Sequence, residues 1–292
     1  MDDGMRTVST LVSRLDSVSE KIRSDSLAEL RFLTKNYPEI RPIVAASGAI
    51  PCVSECLYSS SHSMQENAAA TLLNVSIASS EEIFSDANLL DAVSYLLQHH
   101  SSSSSPPAVQ AASALIYSLL LVEDYRALIG SKRDILYSLV DIIRYPTSPT
   151  RSIKDALIAL FVIAQRQENR GVLVGLGLVE ILFGLVMRDE RRGIVEDATA
   201  VIAQVAGCEE SESAFARVSG IRKLADLLRT GLSLRIKENA IGGLLNLVRN
   251  RERAAEELCE MDVGDEVSVV LENGSEKGRV KAAALLDVIH RR

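Results

Sequence analysis

The sequence predicts an all-α solenoid, and three observations carry that prediction. One pattern of polar, polar, small and then apolar residues at helical spacing recurs seven times in 292 residues. No strand or hairpin pattern separates the recurrences. Seven units of about 42 residues fill nearly the whole chain, which leaves no room for a separate catalytic domain.

The repeat is anchored on a small residue. The anchors are Ser26, Ala68, Ala111, Ala156, Ala198, Ala240 and Ala282, spaced by 42, 43, 45, 42, 42 and 42 residues. Each opens an apolar stripe, such as Leu72 and Val75 after Ala68, or Leu244, Leu245 and Val248 after Ala240. Leu224, Leu227 and Leu228 form a second stripe on another helix, which breaks at Thr230-Gly231. A shorter helix around Ala214 to Val218 ends at Ser219-Gly220, where glycine permits the positive φ of a sharp reversal. Ser47-Gly48 and Leu176-Gly177 hold the same place in their units, and Pro51 suits the first turn of a helix. Asn273-Gly274 joins two helices rather than two strands. The expectation is one domain over 1–292, with units near 5–46, 47–87, 88–130, 131–174, 175–217, 218–259 and 260–292, the outer two acting as caps.

Composition removes several classes of function. Lys and Arg number 32 against 39 Asp and Glu, a net charge of -7, and nucleic-acid binding calls for the opposite balance. The longest apolar run, around Ala114 to Val122, falls short of the roughly 20 residues of a membrane helix, so no transmembrane segment is expected. Met1-Asp2-Asp3-Gly4 lacks the layout of a signal peptide. Four cysteines without paired spacing fit a reduced compartment, and the expected localisation is cytoplasmic, nuclear or both.

Three helices per unit of this length resemble the armadillo repeat. The strings Ser47-Gly48-Ala49-Ile50-Pro51, Gln65-Glu66-Asn67-Ala68 to Asn74-Val75-Ser76, and Lys237-Glu238-Asn239-Ala240 to Asn246-Leu247 resemble the armadillo arrays of plant U-box ubiquitin ligases. Glu168-Asn169-Arg170 is similar to a polar triplet of that family. The Cys-Pro-Ile opening of a U-box itself is nowhere in the sequence. The resemblance implies a right-handed superhelix whose third helices line a concave groove. It also implies the recruiting half of a ligase without the half that engages the conjugating enzyme.

Counting i, i+4 and i+7 from the residue before each anchor gives the expected groove face. It comprises Asn67, Thr71 and Asn74; Gln110, Ala114 and Tyr117; Asp155, Ala159 and Val162; Asp197, Val201 and Gln204; Asn239, Gly243 and Asn246. An Asn side chain donates and accepts, so it grips an extended peptide backbone without reading its sequence. Asn74 and Asn246 are expected to be exposed, so that replacing them weakens binding and spares stability. Tyr117, Val162 and Val201 give the middle an apolar and aromatic character. The sequence has no Trp, so the paired tryptophans of nuclear-import receptors are missing.

Other chemistry finds no assembled parts. Cys52 and Cys56 lie four apart near His62, but zinc takes four ligands, and buried small hydrophobes are the better reading. His99 and His100 point apart on a solvated helix end. No Gly-x-Ser-x-Gly elbow is present, and Gly171, Gly175 and Gly177 miss the dinucleotide spacing. Ser101 to Ser105 with Pro106-Pro107 reads as a flexible loop, where Ser105-Pro106 and Ser148-Pro149 suit proline-directed phosphorylation. Arg188, Arg191 and Arg192, interrupted by Asp189 and Glu190, read as a solvated turn. The expected function is therefore protein or peptide recognition, with no catalytic residue, metal, cofactor, small-molecule substrate or nucleic acid, and the resemblance to U-box ligases implies ubiquitination substrates as partners. The rival readings are a stand-alone scaffold in signalling or trafficking, and a nuclear-transport adaptor.

Overall fold

Seven long helices recur along the chain: Glu20–Asn36, His62–Ser76, Pro106–Leu120, Thr150–Ala164, Arg192–Val205, Leu234–Val248 and Glu276–His290. The computed structural model describes residues 2–145, 147–189, 191–249 and 251–290, so Met1 and Glu190 lie outside the described residues. Among them no β-strand occurs. Two shorter helices precede each long one, except that Glu20–Asn36 follows a single helix, Asp2–Leu15. The first unit is thus a pair, and the six behind it are triplets.

The residues form two compact parts, 1–159 and 160–292. In the first, Glu20–Asn36 packs on His62–Ser76, which packs on Pro106–Leu120. The second helices Ala49–Glu55, Leu89–Gln98 and Arg133–Arg144 stack alongside in the same order. In the second part, Arg192–Val205, Leu234–Val248 and Glu276–His290 pack in turn. Long helices meet at their anchors: Ser26, Ala68, Ala156, Ala198, Ala240 and Ala282 are all buried. A methyl-sized side chain there brings the helices close enough for the flanking leucines to interlock.

The long helices correct one register. They start at His62, Pro106, Thr150, Arg192, Leu234 and Glu276, so the step is 44, 44, 42, 42 and 42. The third anchor is therefore Ala112, not Ala111. Ala111-Ala112-Ser113-Ala114 is small throughout, and composition alone leaves the phase of that helix undetermined. Two residues are added before Pro106, where the serine-rich connection lies, and two more between Pro106 and Thr150.

Four of the six turns between first and second helices carry a left-handed residue. Gly48 and Gly177 have φ of 78°, and Ser219 and Asp262 take the same place at 53° and 45°. Ser219, not Gly220, thus makes the reversal. Gly220 is required for another reason: a Cβ on it would stand 2.6 Å from Cδ1 of Phe215.

Arginines of the first helices tie consecutive units together. Arg41 donates from Nε to the Thr34 carbonyl, Arg126 to Leu120 and Arg170 to Ala164, each at 2.8 Å. These carbonyls end the long helices, where acceptors lack partners and the helix dipole favours a cation. A left-handed conformation strains a side chain with a Cβ. Ser219→Gly should raise stability by about 1 kcal/mol, less the added freedom of the unfolded chain. Asp262→Gly should gain less, because Asp tolerates this region. Urea unfolding midpoints of the two variants check both values.

Candidate functional site

The polar residues on the long-helix face have partners, and those partners lie on the preceding long helix. Asn74 donates from Nδ2 to Oγ1 of Thr34 at 3.2 Å. Asn239 donates to the Glu196 carbonyl at 3.0 Å and to Oγ1 of Thr199 at 3.1 Å. Asn246 donates to the Ala203 carbonyl at 2.9 Å. Asn67 accepts from Nη1 of Arg31 at 2.9 Å. These asparagine amides stitch one unit to the next.

Several expected face residues lie inside. Val201 is 0% exposed, Thr71 1% and Val162 8%, while Asn67 and Asp155 are also buried. Ala159 and Gly243 are buried as well. The packing of neighbouring long helices covers this stripe, so an i, i+4, i+7 count from the anchor runs along the seam. Asp155 pairs with Arg151 at 3.3 Å, and burial raises its pKa above the usual carboxylate range. Asp197 faces Arg235 at 3.6 Å. Asn74 and Asn246 are half-buried rather than exposed. Gln110, Ala114, Tyr117 and Gln204 are half-buried too, and Gln204 makes no side-chain hydrogen bond among the described residues.

The register correction moves three of these residues, Gln110, Ala114 and Tyr117. With a step of 44, Gln110 matches Glu66 and Tyr117 matches Leu73, whereas Ser118 matches Asn74. The bonding agrees: the hydroxyls of Ser76 and Ser118 bond at 2.9 Å, which repeats the Asn74 to Thr34 link one unit on.

A second stitch went unread in the sequence. Glu196 accepts from the Ser233 hydroxyl at 2.7 Å, and Glu238 from the Ser275 hydroxyl at 2.9 Å. Glu66 likewise accepts from the Ser105 hydroxyl. Each serine stands just before the next long helix, and each glutamate sits two residues before an anchor. The repeated Glu66-Asn67 and Glu238-Asn239 carry this link in the sequence.

The serine-rich connection is ordered, not flexible. The N–H groups of Ser102, Ser103 and Ser104 all donate to the His99 carbonyl, and Ser104 and Ser105 are buried. The N–H of Ser105 donates to Gln65. Ser105 is therefore turned inward against Gln65 and Glu66, which agrees with an unmodified spacer better than with proline-directed phosphorylation at that residue. His100 is likewise no solvated end. Its side chain is 6% exposed and lies 3.0 Å from Asp141 on the second helix of the next unit. Cys56 is buried, and desolvation pushes its thiol up to about 11, so the reactive thiolate is disfavoured. Arg191 bonds Asp189 on the exposed turn, whereas Arg192 bonds Glu196 one turn on within the helix Arg192–Val205.

These links set stability. Asn239→Ala should cost about 1–2 kcal/mol, since two buried-side bonds are lost together. Asn246→Ala should cost about 1 kcal/mol, read as a fall in melting temperature. The Ser233 hydroxyl, with Arg192 behind it, holds Glu196 below the usual carboxylate range. A lowered folded pKa stabilises the protein above the ordinary Glu value and is lost as pH falls through the folded one. Glu196→Gln should therefore flatten the acid limb of stability against pH; an unchanged limb would remove the link.

Known proteins resemble this chain in sequence and fold. The family model described as "Plant U-box protein ARM repeat region" matches residues 7–292. U-box domain-containing protein 16 of Arabidopsis thaliana is 29% identical over 97% of this chain and 41% of its own length. U-box domain-containing protein 1 of Medicago truncatula is 32% identical over 98% of this chain and 41% of its own. The chain thus spans less than half the length of these relatives. Among solved structures, an engineered protein is similar at a TM-score of 0.81 and 19% identity, over 97% of this chain and 68% of that one. A designed armadillo repeat protein in complex with the peptide (KR)4 is similar at 0.51 and 17% identity, over 97% and 99%.

Proposed function

The chain belongs to the ARM repeat region family of plant U-box proteins, and from that premise we propose that it recruits substrates for ubiquitination. The observation that carries the reading is the family match along 7–292, on a fold used as a protein-interaction module. Tyr117, Gln204 and Asn246 stay partly exposed along the long helices, and protein segments are the ligands that such a polar and apolar mixture suits. Ubiquitin transfer itself belongs to the remainder of the longer relatives. On this reading the present chain holds the substrate, and a U-box holds the conjugating enzyme.

Two measurements test it. Incubated with ubiquitin, activating and conjugating enzymes and ATP, the chain should transfer nothing; autonomous transfer would place chemistry inside these repeats. Joined to a U-box, it should modify proteins that it binds. Tyr117→Asp and Gln204→Arg lose no side-chain hydrogen bond and should reduce that modification about tenfold at unchanged melting temperature. Equal modification by wild type and both variants would show that the long-helix face does not select the substrate.

A further inference from the structure

One spot in the second part, beside the end of the long helix Arg192–Val205, keeps unspent hydrogen-bonding capacity. Arg170 uses Nε on the Ala164 carbonyl at 2.8 Å and Nη2 on the Gln165 carbonyl at 3.2 Å. Its Nη1 has no acceptor among the described residues. Asn246 uses Nδ2 on the Ala203 carbonyl, which leaves its amide oxygen without a donor. Between them lies Gly207, which is exposed. A Cβ built there would stand 3.4 Å from Nη1 of Arg170 and 3.7 Å from Cγ of Asn246. Gly207 has no positive φ, so the backbone does not call for glycine at this point. The missing side chain leaves a gap between a cationic donor and an amide acceptor.

We infer that Arg170, Gly207 and Asn246 form a subsite for the carboxylate side chain of an extended protein segment. The inference rests on the proposed use of the long-helix face. The carboxylate accepts from Nη1 of Arg170, and a backbone N–H of the segment donates to the Asn246 oxygen. Two carbonyls already fix the guanidinium, so binding does not pay to order it. A charge-assisted bond to a pre-placed arginine is the strong kind. Glu210 packs over Gly171, the next residue, yet makes no ion pair with Arg170 among the described residues. Gln204, without a side-chain bond of its own, lies one turn before Gly207 in sequence.

The test is a random-peptide display selection against the full chain, followed by affinities of the selected peptides. Selected peptides should share an acidic position, and changing that residue to its amide should weaken binding about tenfold or more. Gly207→Leu, which keeps both Arg170 bonds and fills the gap, should produce a similar loss. In Arg170→Gln, the acidic and amide peptides should bind alike, a result that a purely structural role for Arg170 does not give. If peptides are selected with no acidic position, or Gly207→Leu binds them normally, the subsite is wrong while the recognition face stands. If no peptide is selected, the recognition face itself is wrong.

Discussion

The whole structure depends on how closely consecutive long helices approach. A buried alanine or serine at each anchor sets that distance, and everything around it follows. The leucines behind the anchor interlock because the backbones are near. Asparagine amides reach across because the gap is one hydrogen bond wide. The glutamates two residues earlier meet the serine that opens the next helix. A larger anchor would part all of these contacts at once.

This closeness changes what the polar face is for. A row of asparagines on a repeat surface invites a reading as peptide grips, and here most of their capacity is spent within the array. An amide has two ends, though, and the structure uses one. Asn246 gives its nitrogen to Ala203 and keeps its oxygen. Recognition on such a face comes from residual valences, after assembly has taken its share. That makes stability and recognition separable at some positions, such as Gln204, and coupled at others, such as Asn239.

The period was legible because anchors and stripes repeat with little change, and the helices, their order and their buried alanines follow from it. What stayed hidden has specific physical causes. The third unit has alanine or serine at four consecutive positions, so its phase appears only in the structure, in the start of the helix at Pro106 and the bonding of Ser118 to Ser76. Ser219 adopts a conformation that glycine holds in sister turns, and the glycine beside it drew attention to the wrong residue. The serine-rich stretch has the composition of a flexible linker, yet its backbone converges on one carbonyl, that of His99. Burial of Val201 and Thr71 was out of reach, because a helix pattern shows which residues share a side but not how far the neighbour overlaps it.

The arginine links are unevenly distributed, and that has a mechanical meaning. In the first part, Arg41 braces the end of Glu20–Asn36 and Arg126 braces Pro106–Leu120. The helix after His62–Ser76 is Ser80–Phe84, five residues long and without an arginine. That joint lacks the strap its neighbours have. An array held by nearest-neighbour contacts yields at its least reinforced joint. Amide protons at the tail of His62–Ser76 should accordingly exchange with solvent ahead of those at the tails on either side.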